Sequence, residues 1–440
     1  MLTSSLRYSV VLLRKLGVLI WSLAYLITLF GVYRGFIAPF YNYMGFVYYP
    51  PTTGEVFLAV LLTIIPAFFV PYRLISLSGY LYTLTYYLVY VPTILVSVVR
   101  YPGFNAEFLA LYLSLLLAML ILGFFVYLPT IRVPHLRFKR LSWNFAILVF
   151  TLLVYTALIA KFGLRPPPSP LNPYDVRLAA RELGPLTGYL LRIAGNVLAP
   201  AVLVMGLCSR PPRRVLLLGA GLALFVLVYS FDGTKSTLFS PLLIIALWYI
   251  YRRRPPMTRL LGLGVFLIWM GVFADLLLGK LVFTSIGVRR AVLIPGLLTN
   301  YYYDFFVIKR NPLYFYSHSF MKGIFQNVYD TSPSFLIGKL YFSSDITSAN
   351  ANFLADAIAN LGVLGVPLLA VLTGSYVYLM RSLARGREEL ALLMASVPLF
   401  ALMNSSFFTT LLTHGLFLAT LVIWFFPGSC FQALHVRKRL

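Results

Sequence analysis

The feature that most narrows the fold is a succession of apolar runs, each long enough to cross a lipid bilayer. They lie near 16–33, 54–71, 79–99, 106–128, 143–162, 183–207, 214–231, 235–251, 258–284, 350–380, 388–403 and 407–427. A helix needs about 20 mostly apolar residues to span the hydrocarbon core, so the runs predict an all-α polytopic bundle of about twelve transmembrane helices. Helices satisfy their own backbone groups in lipid. The strand-period alternation of a transmembrane barrel is missing, and the runs exceed the about 10 residues of a barrel strand. With 60% hydrophobic and only 11% charged residues, the chain has far more apolar surface than a soluble fold hides. The first run is too long for a signal peptide and no small-residue cleavage site follows it, so it is expected to be the first span. Spans one to nine, with an outer segment at about 161–185, then occupy 1–284. A large extracytoplasmic loop fills 285–349, and the last three spans with a cytoplasmic tail occupy 350–440.

A net charge of +24 raises the question of nucleic acid, but the basic residues are spread over alternate loops instead of gathering on one face. They read as topology. Lysines and arginines cluster at 7–15, 73, 132–140, 210–214, 252–259, 381–387 and 437–439, which the positive-inside rule assigns to the cytoplasm together with both termini. The intervening short loops hold Arg34, Arg100 and Lys235, one each. Most of the twelve acids (Glu55, Glu107, Asp175, Glu182, Asp232, Asp304, Asp330 and Asp345) fall on the same outer side. This orientation fits an inner, cytoplasmic membrane with any chemistry facing the periplasm or the outside. Cys208 and Cys430 map to cytoplasmic helix ends, so no disulfide is expected. His135, His318, His414 and His435 are scattered without a metal-binding spacing, so neither a metal nor another cofactor is expected.

Polar residues inside apolar runs are the candidates for chemistry. Asn352, Asp356 and Asn360 recur every fourth residue at the outer start of the tenth span, which puts all three on one helical face. An ionisable group at that depth faces a protein interior or a wet cavity. Helix-to-helix gluing is the competing explanation. Arg192, with Asn196 one turn on, and His414, near Asn404-Ser405-Ser406 and Thr409, enter the membrane at a similar depth from the same side. A snorkelling arginine and a hydrogen-bonded structural histidine are the plainer readings of those two.

Asp232-Gly-Thr-Lys-Ser is read as a tight outer turn that sets Lys235 and Ser236 at a helix N terminus, where free N–H groups and the helix dipole favour an anion. The outer segment 161–185 is stiffened by Arg165-Pro-Pro-Pro-Ser-Pro and Asn172-Pro, and a short helix is expected at 175–183. The larger outer segment is too aromatic for disorder and is expected to fold as short helices over the bundle. It carries Arg289-Arg290, Pro295-Gly296, Asn300-Tyr301-Tyr302-Tyr303-Asp304 and Tyr316-Ser-His318. Paired arginines fork-bind phosphate oxygens, and aromatic rings offer flat faces to sugars. Interfacial aromatic belts account for many of the same rings.

Gly233-Thr-Lys235-Ser236 opening a helix, Arg289-Arg290 followed by Pro295-Gly296 and the tyrosines, and the stretch from Asn350 through Asn352, Asp356 and Gly362 to Gly365 together resemble the O-antigen polymerase family. These oligosaccharide repeat-unit polymerases are related to the O-antigen ligases, and the resemblance covers about residues 225–380. It implies a bundle of the lipid-sugar glycosyltransferase type with a large outer loop over a cavity. It also implies an inverting, metal-independent enzyme that joins repeats carried on a polyprenyl diphosphate, in the bilayer, with a chain-length regulator as a partner and no nucleic acid.

Carried over, Lys235, Arg289, Arg290 and Arg192 would hold the donor diphosphate. Arg177, with Gly188 further along, is similar to an arginine–glycine spacing in the second long outer loop of some polymerases, and would join them. Tyr301, Tyr302, Tyr303 and Asn352 would contact sugars. The general base is left open among His318, Asp304 and Asp356. The related ligases have a histidine directly before the asparagine that here is Asn352, whereas this chain has Ala351, a departure that argues against a ligase. A flippase for the same lipid-linked glycans, and a membrane scaffold that docks a partner on its long outer segment, are the readings from other functional classes.

Overall fold

The computed structural model describes residues 2–101, 103, 106–134, 140–169, 174–181 and 184–426. His135, Arg137, Lys139, Asn172, Glu182, Cys430, His435 and the basic tail Arg437, Lys438 and Arg439 lie outside them. The described residues are all-helical, with a single isolated β-bridge between Lys322 and Phe325. In chain order the helices are α1 Leu13–Met44, α2 Thr53–Ala67, α3 Leu77–Arg100, α4 Ala106–Tyr127, α5 Ser142–Phe162 and α6 Tyr174–Arg181. Then follow α7 Pro185–Cys208, α8 Arg213–Asp232, α9 Lys235–Arg253, α10 Met257–Leu278 and α11 Thr284–Ile308. The last are α12 Pro333–Phe342, α13 Phe353–Leu383, α14 Glu388–Ala401, α15 Phe407–Leu412 and α16 Leu416–Phe425.

Nine of these described helices, α1, α3, α4, α5, α7, α8, α10, α11 and α13, are long and apolar enough to cross a membrane, as in a multi-pass membrane protein. The sequence runs numbered about twelve, and the two counts differ for local reasons. The runs at 54–71 and 388–403 form helices of 15 and 14 residues, shorter than a straight span, and the run at 235–251 forms α9, which Lys235, Arg252 and Arg253 leave less apolar than the nine. The run at 407–427 is broken at Gly415, whose φ of 83° is left-handed and ends helix continuity. Conversely, α11 lies in a segment read as loop. Its arginines and tyrosines make it the least apolar of the nine, so an apolarity window passes over it. Its start is fixed by Asp275 of α10, whose buried carboxylate accepts from the backbone N–H groups of Val282, Phe283 and Thr284 at 2.9, 2.8 and 2.6 Å.

Small residues and tyrosines set the packing. α10 runs parallel to α1, with Gly17 against Thr258, Gly262 against Trp21 and Gly31 against Trp269. α7 and α8 form an antiparallel hairpin in which a Cβ on Gly221 would stand 2.8 Å from the Leu203 backbone. On α3, Tyr82, Tyr86 and Tyr90 repeat every four residues and donate to the α2 carbonyls of Pro66, Thr63 and Leu62. α11 runs parallel to α3, with Gly296 against Pro92 and the Asn300 amide donating to the Thr93 carbonyl while its Oδ1 accepts from Ser97. α13 packs on α4 and α11 at the centre of the bundle.

Candidate functional site

The site is built around a break in α13. Gly362 adopts φ 66°, ψ −156°, a conformation open to glycine, and the helix turns there. Just before the break, the carbonyls of Ala359 and Asn360 accept from the amides of Tyr314 and Phe315, at 3.0 and 3.3 Å. Asn360 Oδ1 accepts from the Tyr316 amide at 2.8 Å. The loop after α11 is thus stitched to α13 by three bonds. It crosses the seam with two consecutive left-handed non-glycine residues, Phe315 at φ 49° and Tyr316 at φ 59°. Each such residue costs about 1–2 kcal/mol, and backbone held so is found where surrounding structure enforces it. Two residues on comes His318, whose ring meets Tyr314 edge-on at 5.0 Å.

Beneath this loop lies a cavity of about 270 Å³. Arg192 from α7, Tyr302 from α11, His318, Ser332 to Ser334, Asn350 and Ala351 line it, with Asp356 from α13, Asn404 to Ser406, Thr409 and His414. All come from the end of the bundle where α7, α9 and α13 begin. Asp356 Oδ2 is buried without a hydrogen-bond partner, and so is His318 Nδ1. Burial also pushes the His318 imidazole below its ordinary value, so it is neutral at pH 7 and able to accept a proton. His414 sits within electrostatic reach of Arg192, and its backbone carbonyl accepts from the Asn196 amide at 3.1 Å, which ties α7 to the α15–α16 turn. A carboxylate with one buried, unpartnered oxygen, lining the same cavity as a neutral imidazole and a guanidinium, is equipped to take a proton from a hydroxyl and to stabilise an anion.

The chain matches no family model, no curated protein and no solved structure.

The sequence candidates divide. Asp356, His318, Arg192 and Tyr302 come together at the cavity with His414; of these, Arg192, Asp356 and His414 are the three that the sequence puts at one depth. Asp304 does not line it: Lys309 Nζ is 2.8 Å from its carboxylate, and the Tyr341 hydroxyl donates to it. Three successive residues on a helix point about 100° apart, so the tyrosines diverge. Tyr301 donates to the Met44 carbonyl, Tyr302 to the Ala349 carbonyl and Tyr303 to the Glu107 carbonyl. Asn352 is the N-cap of α13: its Oδ1 accepts from Leu354 and Ala355, and its amide donates to Thr299 Oγ1 at 2.8 Å. Of the stripe Asn352, Asp356 and Asn360, only Asp356 is turned to the cavity, because each asparagine is used in holding the helix.

The cations divide as well. Arg289 lies with its guanidinium 4.3 Å from the centre of the Tyr41 ring, bonded to Ser285 Oγ at 2.8 Å, and Arg290 is exposed. Neither lines the cavity. The Asp232 turn has the expected form: α8 stops at Gly233, φ 60°, the Thr234 amide donates to Asp232 Oδ1, and Lys235 opens α9. Lys235 lies outside the cavity wall, although Asp232 is within electrostatic reach of Arg192 and of Arg177 on α6. Missing from the sequence reading were Asn360 as the anchor of the His318 loop and the rim Ser332-Pro333-Ser334 with Asn350. A Ser-Pro before an apolar run is a helix-start signal, and it marks α12 here.

Proposed function

We propose that this chain is a membrane glycosyltransferase that polymerises polyprenyl-diphosphate-linked oligosaccharide repeats at the extracytoplasmic face. The single observation that carries the reading is the gathering of Asp356, His318 and Arg192 on one cavity with unpartnered carboxylate and imidazole atoms. An acceptor sugar hydroxyl attacks the anomeric carbon of the donor, and the bond from that carbon to the phosphate oxygen breaks with inversion. The hydroxyl proton passes to Asp356 or His318, and the lipid diphosphate leaves with its growing negative charge met by Arg192. Arg289 is committed to Tyr41 and Ser285, so the diphosphate clamp that the family resemblance implies for Arg289 and Arg290 forms no part of the mechanism.

The outward orientation is supported by the arginines at the opposite ends of the same helices, Arg210, Arg213, Arg214, Arg252, Arg253 and Arg254. The test is a reaction of the purified protein with authentic lipid-linked repeats. A ladder of polymers is expected from the wild type, and polymer formation slowed by about 10²–10⁴-fold from Asp356→Asn at unchanged folding. An inert wild type, or lipid-linked repeats carried across vesicles without joining, overturns the reading.

A further inference from the structure

His318 and Ser332 border a second hollow besides the cavity. It is an open groove of about 640 Å³ walled by the segment 317–332. Its volume lies in the about 300–1,000 Å³ range of organic-ligand sites. The side chains along it are Lys322, Gln326, Asn327, Asp330 and Thr331, with Ile324 and Phe325 among them. Amides, hydroxyls and one charge of each sign, beside an exposed ring, match the hydroxyl-rich edges and apolar faces of pyranose rings. They do not match a lipid tail, which would want a continuous apolar wall. A free diphosphate would want more than one cation, and Asp330 repels it.

The groove is preformed. Tyr314 donates from its hydroxyl to the Thr331 carbonyl at 2.8 Å, closing the segment into a loop. Ser317 Oγ donates to Asn327 Oδ1 at 3.4 Å across it. The same three bonds to Ala359 and Asn360 that set His318 over Asp356 hold its base to α13. The inner cavity, at about 270 Å³, is too small to seat several sugar rings together with a diphosphate, so a substrate with more than one ring has to extend outward.

We infer that the groove formed by residues 317–332 is an oligosaccharide-binding subsite, and that a glycan lying in it reaches the inner cavity past His318. This rests on the proposed transferase reading for its purpose, but glycan binding in the groove is measurable without turnover. Lys322 and Gln326 are both exposed, so Lys322→Met with Gln326→Leu changes the groove without touching packing.

The experiment is saturation-transfer NMR on the purified full-length chain with soluble, lipid-free pyranose oligosaccharides of four to six rings. One set is neutral and one contains uronic acids. Wild-type protein and Asp356→Asn are expected to bind members of one set equally, and the groove variant to bind them at least tenfold more weakly. In turnover the groove variant is expected to raise the KM for the lipid-linked repeat with kcat little changed. Binding that disappears in Asp356→Asn but survives in the groove variant overturns the inference, as does an absence of binding to every oligosaccharide tried. Groove-dependent binding by a wild-type chain that makes no polymer leaves the subsite standing and removes the transferase reading.

Discussion

At the scale of single residues, the separation between what serves the cavity and what serves the fold comes from counting hydrogen bonds. Asn352 and Asn360 have their side-chain amides fully engaged, whereas Asp356 Oδ2 and His318 Nδ1 have no partner although buried. A buried polar atom left without a partner costs about 1–3 kcal/mol, and among the residues that line the cavity these two are the atoms left so, placed where a ligand or a transferred proton can supply what is missing. Asp356→Asn keeps the shape and removes the charge. Loss of a positioned proton acceptor lowers turnover by about 10²–10⁴-fold, and that drop in kcat, at unchanged thermal stability, is the expected result.

His318 makes a separate prediction in pH. Its pKa is held below the ordinary 6.5 by burial, so the imidazole stays neutral through weakly acidic conditions and is lost as an acceptor as pH falls further. The acid limb of kcat/KM should therefore lie below pH 6.5, and it should move or vanish in His318→Gln if this ring takes the proton. An unmoved acid limb in that variant assigns the proton to Asp356.

At the scale of elements, the break at Gly362 and the loop docked on it form one device. Asn360→Ala removes the acceptor for the Tyr316 amide beside two left-handed residues. The stranded N–H should cost about 1–3 kcal/mol, offset in part by release of the left-handed strain. The substitution should also speed hydrogen exchange at 314–318 ahead of exchange elsewhere, and equal protection in variant and wild type would refute the coupling. Gly296 is a second sensitive point. A Cβ there would stand 2.6–2.8 Å from the backbone of Pro92 and Thr93, so Gly296→Ala forces α11 off α3 and should lower the melting temperature clearly.

These elements also show how far the sequence could be read. Spacing in the apolar runs located eight of the nine long helices, and the common depth of Arg192, Asp356 and His414 anticipated the cavity, because depth along a span follows directly from residue number. Convergence across helices does not follow from it. Which of Tyr301, Tyr302 and Tyr303 meets the cavity depends on helix rotation. Arg289 and Arg290 looked like an anion clamp until packing put Arg289 against Tyr41. Asp275, capping α11 from the preceding helix, resembled any acid at a helix end.

At the scale of the whole molecule, the two ends of the bundle differ in what their charges do. At the end remote from the cavity, cations are joined to helix ends and to acids. Lys15 donates to the Phe68 and Val70 carbonyls, Arg381 to those of Phe125 and Val126, and Arg252 lies 2.9 Å from Glu389. Carbonyls at a helix C terminus carry partial negative charge, and cations there are stabilising. At the cavity end Lys309 is paired with Asp304 and Lys339 with Asp345, but Arg192 faces an open volume beside Asp356 and His414. The cluster of arginines at the far end, Arg210, Arg213, Arg214, Arg252, Arg253 and Arg254, predicts orientation. In a background carrying Cys208→Ser and Cys430→Ser, single cysteines in place of Gln326, on the groove, and Arg254, at the far end of α9, should fall on opposite faces. A membrane-impermeant maleimide added to intact cells should label the first and spare the second until the membrane is opened. The reverse pattern would put the cavity in the cytoplasm and abolish any reaction that draws on substrates of the outer leaflet.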